Sequence, residues 1–568
     1  MYNSDSVQQC ISIMEHLSIY HAFFALACLG LFKLARRISN RRVFEKFKSL
    51  NECQGAIDIS GSFPYGLDRI NRIRNSRKSG EDFLDDILGG EFKNASTFQM
   101  TMVEGSCVLT TTEPANLQAM LATQFNNFDT GKMRHNQFWP VLGKSIFSSD
   151  GAFWEHSRAL LRPQFVRGNI NDLEETEKAS DLFLKTIGAA GHDGWTSDVN
   201  LQPAVFNFTL DAATSFLFGE SVESQAAYIS AKNAERGGTK NATAAQEATS
   251  AIFLDAFATA SDYTIYRLRL QSLYWLADGF KFRRAAKTLH NFTDRFVQRA
   301  LIATAENNDQ STKPPNTRTN LLYALSTQTR DGEELCAQAT AVLFAGRDTT
   351  AALICWCLLR LAQHPDIYDK LRKTVLTTFP PGESIGFAEL KSCRSLQHFI
   401  NEVLRLHPAI PFNTRVANKH AILPKGGGPK QDAPIAVYKG QTIAFSLYHM
   451  HRREDLWGKD AAEFKPERWE QKVPTWQFLP FSGGPRICIG QQYSLVETSF
   501  LIVKLLRSFD RMEPVGWTDA SAVKRGMGLT MWPRDGVHMR LHRAASYCSG
   551  SLAFALAPAD ITRLCKTR

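Results

Sequence analysis

At 568 residues the chain exceeds the roughly 250–300 residues at which a single core usually stops growing, so it holds either several domains or one unusually large helical fold. Hydrophobic residues make up 44% and charged residues 21% of it, which excludes the composition of a disordered chain. The formal charge of +10 does not argue for nucleic acid: seven cations fall in one stretch, Lys33, Arg36, Arg37, Arg41, Arg42, Lys46 and Lys48, with no zinc-finger or RNA-recognition signature beside them.

The first element is the apolar run from Leu17 to Ala35, whose nineteen residues would span about 28 Å as a helix, close to the hydrocarbon thickness of an endoplasmic reticulum bilayer. Asp5 and Glu15 precede it and the basic stretch follows it, which is the reverse of a cleaved signal peptide. Residues 1–50 therefore read as a single-pass anchor with a basic flank, leaving the rest of the chain in the cytosol. Eleven cysteines without a C-x-x-C pair fit a reducing compartment. Residues 51–543 read as one large catalytic domain, mainly α with small β-sheets. Its leading loop is SGSFPYGLDRI, Ser60 to Ile70, and helical periodicity dominates from Asp85 to about Cys336. Ala226–Thr249 and Asn307–Asn320 look like mobile surface connections.

In DGAFWEHSRALLRPQF, Trp154 and Arg158 stand at i and i+4 and share one side of a helix. A helix much longer than average runs from Glu333 to His364 and stops at Pro365. Its middle, AGRDTT from Ala345 to Thr350, carries Asp and Thr, which compete for backbone hydrogen bonds, and Gly346, so a local opening that admits water is expected there. A second helix, Phe387 to His407, carries Glu402 and Arg405 at i and i+3 and stops before Pro408. Short β-like runs follow, AILP and IAVYKGQTIAFSLY. In FLPFSGGPRICIG, Phe478 to Gly490, a glycine-rich loop delivers Cys488 just ahead of a helix beginning near Ile489. Backbone N–H groups there can lower the thiol pKa and favour the anion that a metal needs, Phe481 can shield the sulfur, and Gly484 and Gly490 would let the backbone approach a flat cofactor. Residues 544–568 read as a poorly ordered tail.

The complete pattern F-x-x-G-x-R-x-C-x-G in this loop resembles the haem-binding loop of the cytochromes P-450, and the resemblance extends in order from about Phe63 to Leu541. It implies the cytochrome P-450 fold, haem b as cofactor and Cys488 as the iron's proximal ligand. It further implies that Arg486, Trp154, Arg158 and Arg415 meet the haem propionates, and that Glu402, Arg405 and Arg468, the last from FKPERW, form a buried network under the haem. AGRDTT matches the family's oxygen-activation site, implying that Thr349 hydrogen-bonds the activated oxygen while Asp348 helps relay protons. NADPH-cytochrome P-450 reductase, dioxygen and membrane lipid are the implied partners.

LGKSIFSSDGAFWEHSRALLRPQF, AGRDTTA and PFNTRVA look most like the fungal subgroup that hydroxylates n-alkanes and fatty acids. By that analogy Phe138, Trp139, Leu142, Ile146 and Phe147 line the substrate pocket from one side. Ala345, Ile410, Phe412, Leu529 and Thr530 line it from the other. The largely apolar lining suits a fatty acid or alkane and equally the alkyl part of a polyketide-type secondary metabolite. A non-catalytic haem sensor and a peroxide-using or rearranging haem-thiolate enzyme remain as alternatives; neither needs the proton-delivery pair Asp348 and Thr349.

Overall fold

A computed structural model describes residues 4–61, 82–102, 105–166, 173–235, 244–306, 320–516 and 523–545. Its first element is one continuous helix, Ser4–Leu50 (α1), on which the Leu17–Ala35 run lies. Side chains in much of the first half of that run fall outside the description, while Phe24, Leu29, Leu31, Phe32 and Leu34 are exposed. The C-terminal end of α1 is docked: Phe44 lies 5.4 Å from the His420 ring and 5.7 Å from Tyr438, and Phe47 lies 5.6 Å from His420. A boundary at residue 50 therefore cuts through a packed contact.

Among the helices that frame the interior are Lys132–Leu142 (α2), Gly151–Leu161 (α3), Phe280–Glu306 (α4), Gly332–Gln363 (α5), Arg394–Leu406 (α6) and Gln491–Ser508 (α7). The long helix α5 starts where the Asp331 carboxylate accepts the Glu333 and Glu334 amides at 2.9 and 3.2 Å, an N-cap that suits its acidic first turn. It ends at His364, whose backbone leaves the helical region ahead of Pro365. Among the described residues α5 is the helix long and apolar enough to cross a membrane, yet it is the core helix. Its first half packs with α2, α3 and α4 around Leu335, Leu343 and Phe344. Its second half packs with α6 and α7 around Ile354, Trp356 and Leu358.

A six-stranded sheet is built from Ile57–Asp58 (β1), Thr97–Thr101 (β2), Cys107–Thr111 (β3), Phe128–Asp129 (β4), Phe412–Ala417 (β5) and Thr442–Ser446 (β6), in the order β1-β2-β3-β6-β5-β4. β1 with β2 and β3 with β6 pair in parallel, and the other pairs are antiparallel. The run from Ile435 splits into strands Ala433–Val437 and Thr442–Ser446, and its end, Leu447–Met450, turns helical under a Ser446 cap.

Three expectations are corrected. The segment 226–249 is mostly helical, in Ser224–Glu235 and Ala244–Arg269, because its alanines favour helix more than its few asparagines and glycines oppose it; residues 236–243 lie outside the description. The helix expected over 387–407 is two, broken at Cys393, where the Gln397 side chain satisfies the freed Leu390 carbonyl at 3.0 Å. The stretch expected to be helical from Asp85 onward also contributes β2 and β3. Of the leading loop, residues 62–70 lie outside the described residues, as do 546–568 of the tail and 307–319 of the second connection.

Candidate active site

Where α5 passes from one core to the other, its burial is interrupted: between Leu335 and Ala362 the one run of partly accessible residues is Ala345–Thr349. That interruption falls on the motif singled out in the sequence. The helix is nevertheless unbroken there, so the expected opening is not present. The Thr349 hydroxyl donates to the Ala345 carbonyl at 2.7 Å, sharing an acceptor that the helix already uses. Gly346 faces Ala213 with room to spare, since a Cβ there would stand 3.7 Å from that methyl. Asp348 is held by Arg347 at 3.0 Å. Burial pushes its carboxyl above the usual range, opposed by the Arg347 charge. Arg347 itself lies over the rings of Phe206 and Phe257 at 5.2 and 4.8 Å. Beside it, Thr350 donates to Ser494 at 3.0 Å and so ties α5 to α7.

Cys488 sits three residues ahead of α7, its amide donating to the Phe481 carbonyl at 3.0 Å. Its side chain is accessible, while the surrounding protein atoms dominate its protonation. Burial raises the thiol pKa, outweighing the Gly490 N–H and the Arg158 charge, which both lower it. The expected lowering groups are thus in place but do not win alone; a coordinating metal would supply what remains. Gly490 leaves ordinary clearance, a Cβ falling 3.7 Å from the Phe165 ring and 4.0 Å from the Cys488 sulfur. Gly484 has a task that was not expected. Its φ is +68° and a Cβ there would overlap the Leu121 carbonyl, so it admits a neighbouring backbone.

Three arginines gather on one carboxylate. Asp150, directly ahead of α3, accepts the Thr130 and Gly131 amides at 2.9 Å each and Arg486 at 2.6 Å. Burial would raise its pKa, but these bonds and the Arg486 charge hold it below the usual range. Arg486 also lies over the Trp154 ring at 4.2 Å, and burial brings it down to about 10 despite Asp150. Arg415, only 4% exposed, bonds the Thr414 carbonyl and is pushed down to about 9 by burial and then by the charges of Arg134 and Arg486. Arg134 donates to Asn413 at 3.0 Å. The Nε atoms of Arg134 and Arg486 are buried without hydrogen-bond partners. Three guanidinium groups face Asp150, with Asp129 also within reach of the Arg486 charge, and the group keeps positive charge in excess in a buried place, which suits a ligand bearing carboxylates. A haem with its two propionates fits that donor set.

Arg158 stands at the edge of this group: it lies 6.0 Å from the Trp154 ring that Arg486 also covers, and its charge reaches Arg486. It donates to the Ile487 carbonyl at 3.0 Å and lies beside the thiol. Arg134 was missed, although it stands four residues before Phe138 on the same helix face and 5.5 Å from its ring. Asp150 was missed as well, its signal being an acidic residue at a helix start.

Glu402 and Arg405 are fully buried and paired in a fork, both bonds 2.8 Å. Glu402 also accepts the Lys465 amide at 2.9 Å and the Trp469 indole at 3.0 Å. Arg468 reaches Glu402 at 3.4 Å but bonds Asp460 more closely, at 3.1 Å. Arg405 donates to the His451 carbonyl at 2.8 Å, and the His451 ring accepts the Leu479 amide at 3.1 Å. The network thereby reaches the start of the Cys488 loop through a histidine that nothing in the sequence singled out.

Of the expected pocket residues, Phe138, Leu142, Ile146 and Thr530 are buried, and Phe147, Ala345, Ile410, Phe412 and Leu529 are half-buried. Trp139 is the exception: 47% exposed, it turns away from the core that holds its neighbour Phe138, because adjacent helix positions point about 100° apart.

A family model described as Cytochrome P450 matches residues 93–531. The chain is 39% identical to the cytochrome P450 monooxygenase g430 of Fusarium sp over 84% of this chain and 82% of that protein. It is 37% identical to cytochrome P450 52A13 of Debaryomyces hansenii over 93% of this chain and 99% of that one. With cytochrome P450 52A5 of Candida maltosa it shares 41% identity over 71% and 75% of the two chains.

Proposed function

This chain belongs to the cytochrome P450 family and is an oxidoreductase of the monooxygenase type, and from that premise we propose that it inserts one atom of dioxygen into a C–H bond of a long aliphatic substrate. A fatty acid, an alkane or a polyketide-type secondary metabolite meets that description. The family implies a haem-thiolate cofactor, dioxygen and a redox partner. Here the cofactor is haem b, and electrons come from NADPH through NADPH-cytochrome P-450 reductase.

The observation that carries the reading is the pairing of an accessible Cys488, just ahead of α7, with the arginine group around Asp150. Cys488 would hold the iron, and Arg134, Arg415 and Arg486, with Trp154 beneath the last, would hold the propionates. Haem bound through a thiolate supplies the activation of dioxygen. The chain's own residues do the rest. Arg158 fixes the loop by its bond to Ile487. The Thr349 hydroxyl, its proton committed to Ala345, presents lone pairs that can accept a hydrogen bond from a proton-bearing partner in the accessible stretch of α5. Asp348, its carboxyl pushed toward the neutral form by burial, can carry a proton to that stretch. Phe138, Leu142, Ile146, Ile410, Phe412 and Leu529 give an apolar wall that orients an aliphatic chain and excludes water.

Residues 1–50 serve as a single-pass endoplasmic reticulum anchor, with 51–543 as the catalytic domain in the cytosol and 544–568 as a tail. Replacing Cys488 by Ala is expected to abolish the carbon-monoxide difference band of haem-thiolate proteins, and retention of that band would overturn the assignment. Metabolite profiles of a deletion strain against its parent identify the substrate.

A further inference from the structure

Two chain segments supply the second side of the proposed pocket: residues 409–412, which lead into β5, and the hairpin of the antiparallel strands Arg525–Met527 and Met531–Pro533. They meet at Met531. Its amide donates to the Ala409 carbonyl at 3.0 Å, and its carbonyl accepts the Trp356 indole N–H at 2.9 Å. Met531 directly follows Thr530 in the hairpin turn, which is closed by the Gly528 amide on the Thr530 carbonyl at 2.9 Å. Leu529, in that turn, packs against the core that holds Phe138, Leu142 and Ile146. A single side-chain hydrogen bond from α5 therefore holds the residue from which the turn springs.

Trp356 is itself held in place. It is buried, and the His407 ring lies flat against it, 3.8 Å between centroids and 6° between planes. Arg360, one turn further along α5, donates to His407 Nε2 at 3.1 and 2.9 Å. Since His407 stands two residues before Ala409, the indole meets one wall segment through its ring and the other through its N–H. A buried carbonyl left without a donor is costly, so the N–H fixes how closely the hairpin sits on α5 and does more than fill space. Trp356 comes seven residues after Thr349, close to two helical turns, and so lies on the same side of α5 about 10 Å further on. We infer that Trp356 is a positioning residue for substrate selectivity, its indole N–H setting the distance between the Ala345–Thr349 stretch and the wall formed by Ile410, Phe412 and Leu529. The inference rests on the proposed function in taking those three side chains as pocket wall.

The test uses the full-length, haem-loaded enzyme and a series of imidazoles, unsubstituted, N-phenyl and N-alkyl of increasing length, whose binding to the iron is read from the haem absorption whatever the natural substrate. Trp356→Phe keeps a ring against His407 and removes the N–H. Trp356→His keeps an N–H at the same ring position and removes the benzene half. Trp356→Phe should leave the affinity for imidazole unchanged and alter that for the substituted imidazoles by roughly fivefold or more, the scale of one net hydrogen bond. It should also move the site of hydroxylation along a fatty acid and an n-alkane, while Trp356→His stays near the parent on both measures. If bulk alone set the wall the order would reverse, because histidine loses more volume, so a shift in Trp356→His as large as that in Trp356→Phe overturns the inference. Unchanged affinity ratios in Trp356→Phe, or an equal loss for imidazole itself, overturn it too. Failure of Trp356→Phe to load haem does the same, since Trp356 would then be a residue of the fold. A parent enzyme that oxidises neither the fatty acid nor the alkane refutes the aliphatic reading instead, and the imidazole series still decides the role of Trp356.

Discussion

Replacing Glu402 by Ala removes the acceptor of a fully buried pair while leaving Arg405 charged. Arg405 keeps three carbonyl partners, those of His451, Ala461 and Glu463, but these are dipoles and not a countercharge. Stripping one partner from a buried ion pair costs about 3–5 kcal/mol. The Lys465 amide and the Trp469 indole lose their acceptor at the same time, and each buried orphan adds about 1–3 kcal/mol unless water reaches it. The loss therefore sits at the upper end of the pair term, a large share of the roughly 5–15 kcal/mol that holds a typical protein folded. For a domain of this size the unfolding entropy is about 1 kcal/mol per kelvin, so the melting temperature of purified protein should fall by about 4–6 °C. Because Arg405 supports His451, and His451 supports the Leu479 amide, the haem-loaded fraction should fall as well. Glu402→Gln keeps one acceptor and should lose less on both measures. The comparison uses thermal unfolding followed by circular dichroism and the ratio of haem to protein absorbance. A fully loaded Glu402→Ala variant that melts within 1 °C of the parent would refute the reasoning.

Thr349→Val keeps shape and loses the hydroxyl, so the thiolate spectrum and substrate binding should persist while product formation drops by roughly 10²–10⁴, the usual contribution of a positioned proton relay. NADPH consumed, peroxide released and product formed in one reaction report it, and unchanged coupling would leave Thr349 a structural residue. Truncation after residue 40 should release the enzyme from membranes intact. Truncation after residue 50 should also strip Phe44 and Phe47 from His420 and Tyr438 and cost about 1–3 kcal/mol, read as a lower urea midpoint; equal midpoints would contradict the docked helix end. His449 and His451 are held down to about 4 and about 3, chiefly by burial, and His407, stacked on Trp356, is also well below its ordinary value. All three are neutral when folded and take protons near pH 6.5 when unfolded. Stability is thus full above about pH 6.5 and falls as pH drops toward 4, by up to about 1.4 kcal/mol per pH unit for each histidine. His451→Gln, which keeps an acceptor for the Leu479 amide, should flatten that slope by about one proton in urea titrations at pH 5 to 7, and an unchanged slope would show that His451 does not titrate.

The long helix α5 was legible because its apolar run is uninterrupted and Pro365 ends it, and the Cys488 loop was legible because its residues are fixed in local order. Glu402 and Arg405 could be paired from an i, i+3 spacing, but spacing says nothing of the carbonyls of Ala461 and Glu463 that complete the fork, since those arrive from distant chain. Arg134 and Asp150 escaped notice for the same reason: each is an ordinary charge until the β4–α2 turn and the Cys488 loop bring them together. The break at Cys393 was invisible because its compensation, the Gln397 amide on the Leu390 carbonyl, is a tertiary choice written in a residue that also suits an unbroken helix. Trp139 was assigned inward by analogy with the fungal subgroup, and only the rotation between it and Phe138 decides which of the two faces the core.

The contact of Gly484 with the Leu121 carbonyl bears on how parts of this protein can be exchanged with those of its relatives. The loop that carries Cys488 rests on the backbone of the short helical segment Ala119–Thr123, which arrives from the other end of the chain. A chimera that imports the loop from one parent and this segment from another places two independently shaped surfaces in a joint with no side chain to absorb the mismatch. Recombination should therefore succeed when the two segments travel together and fail when a crossover separates them, even where every residue around the iron is identical.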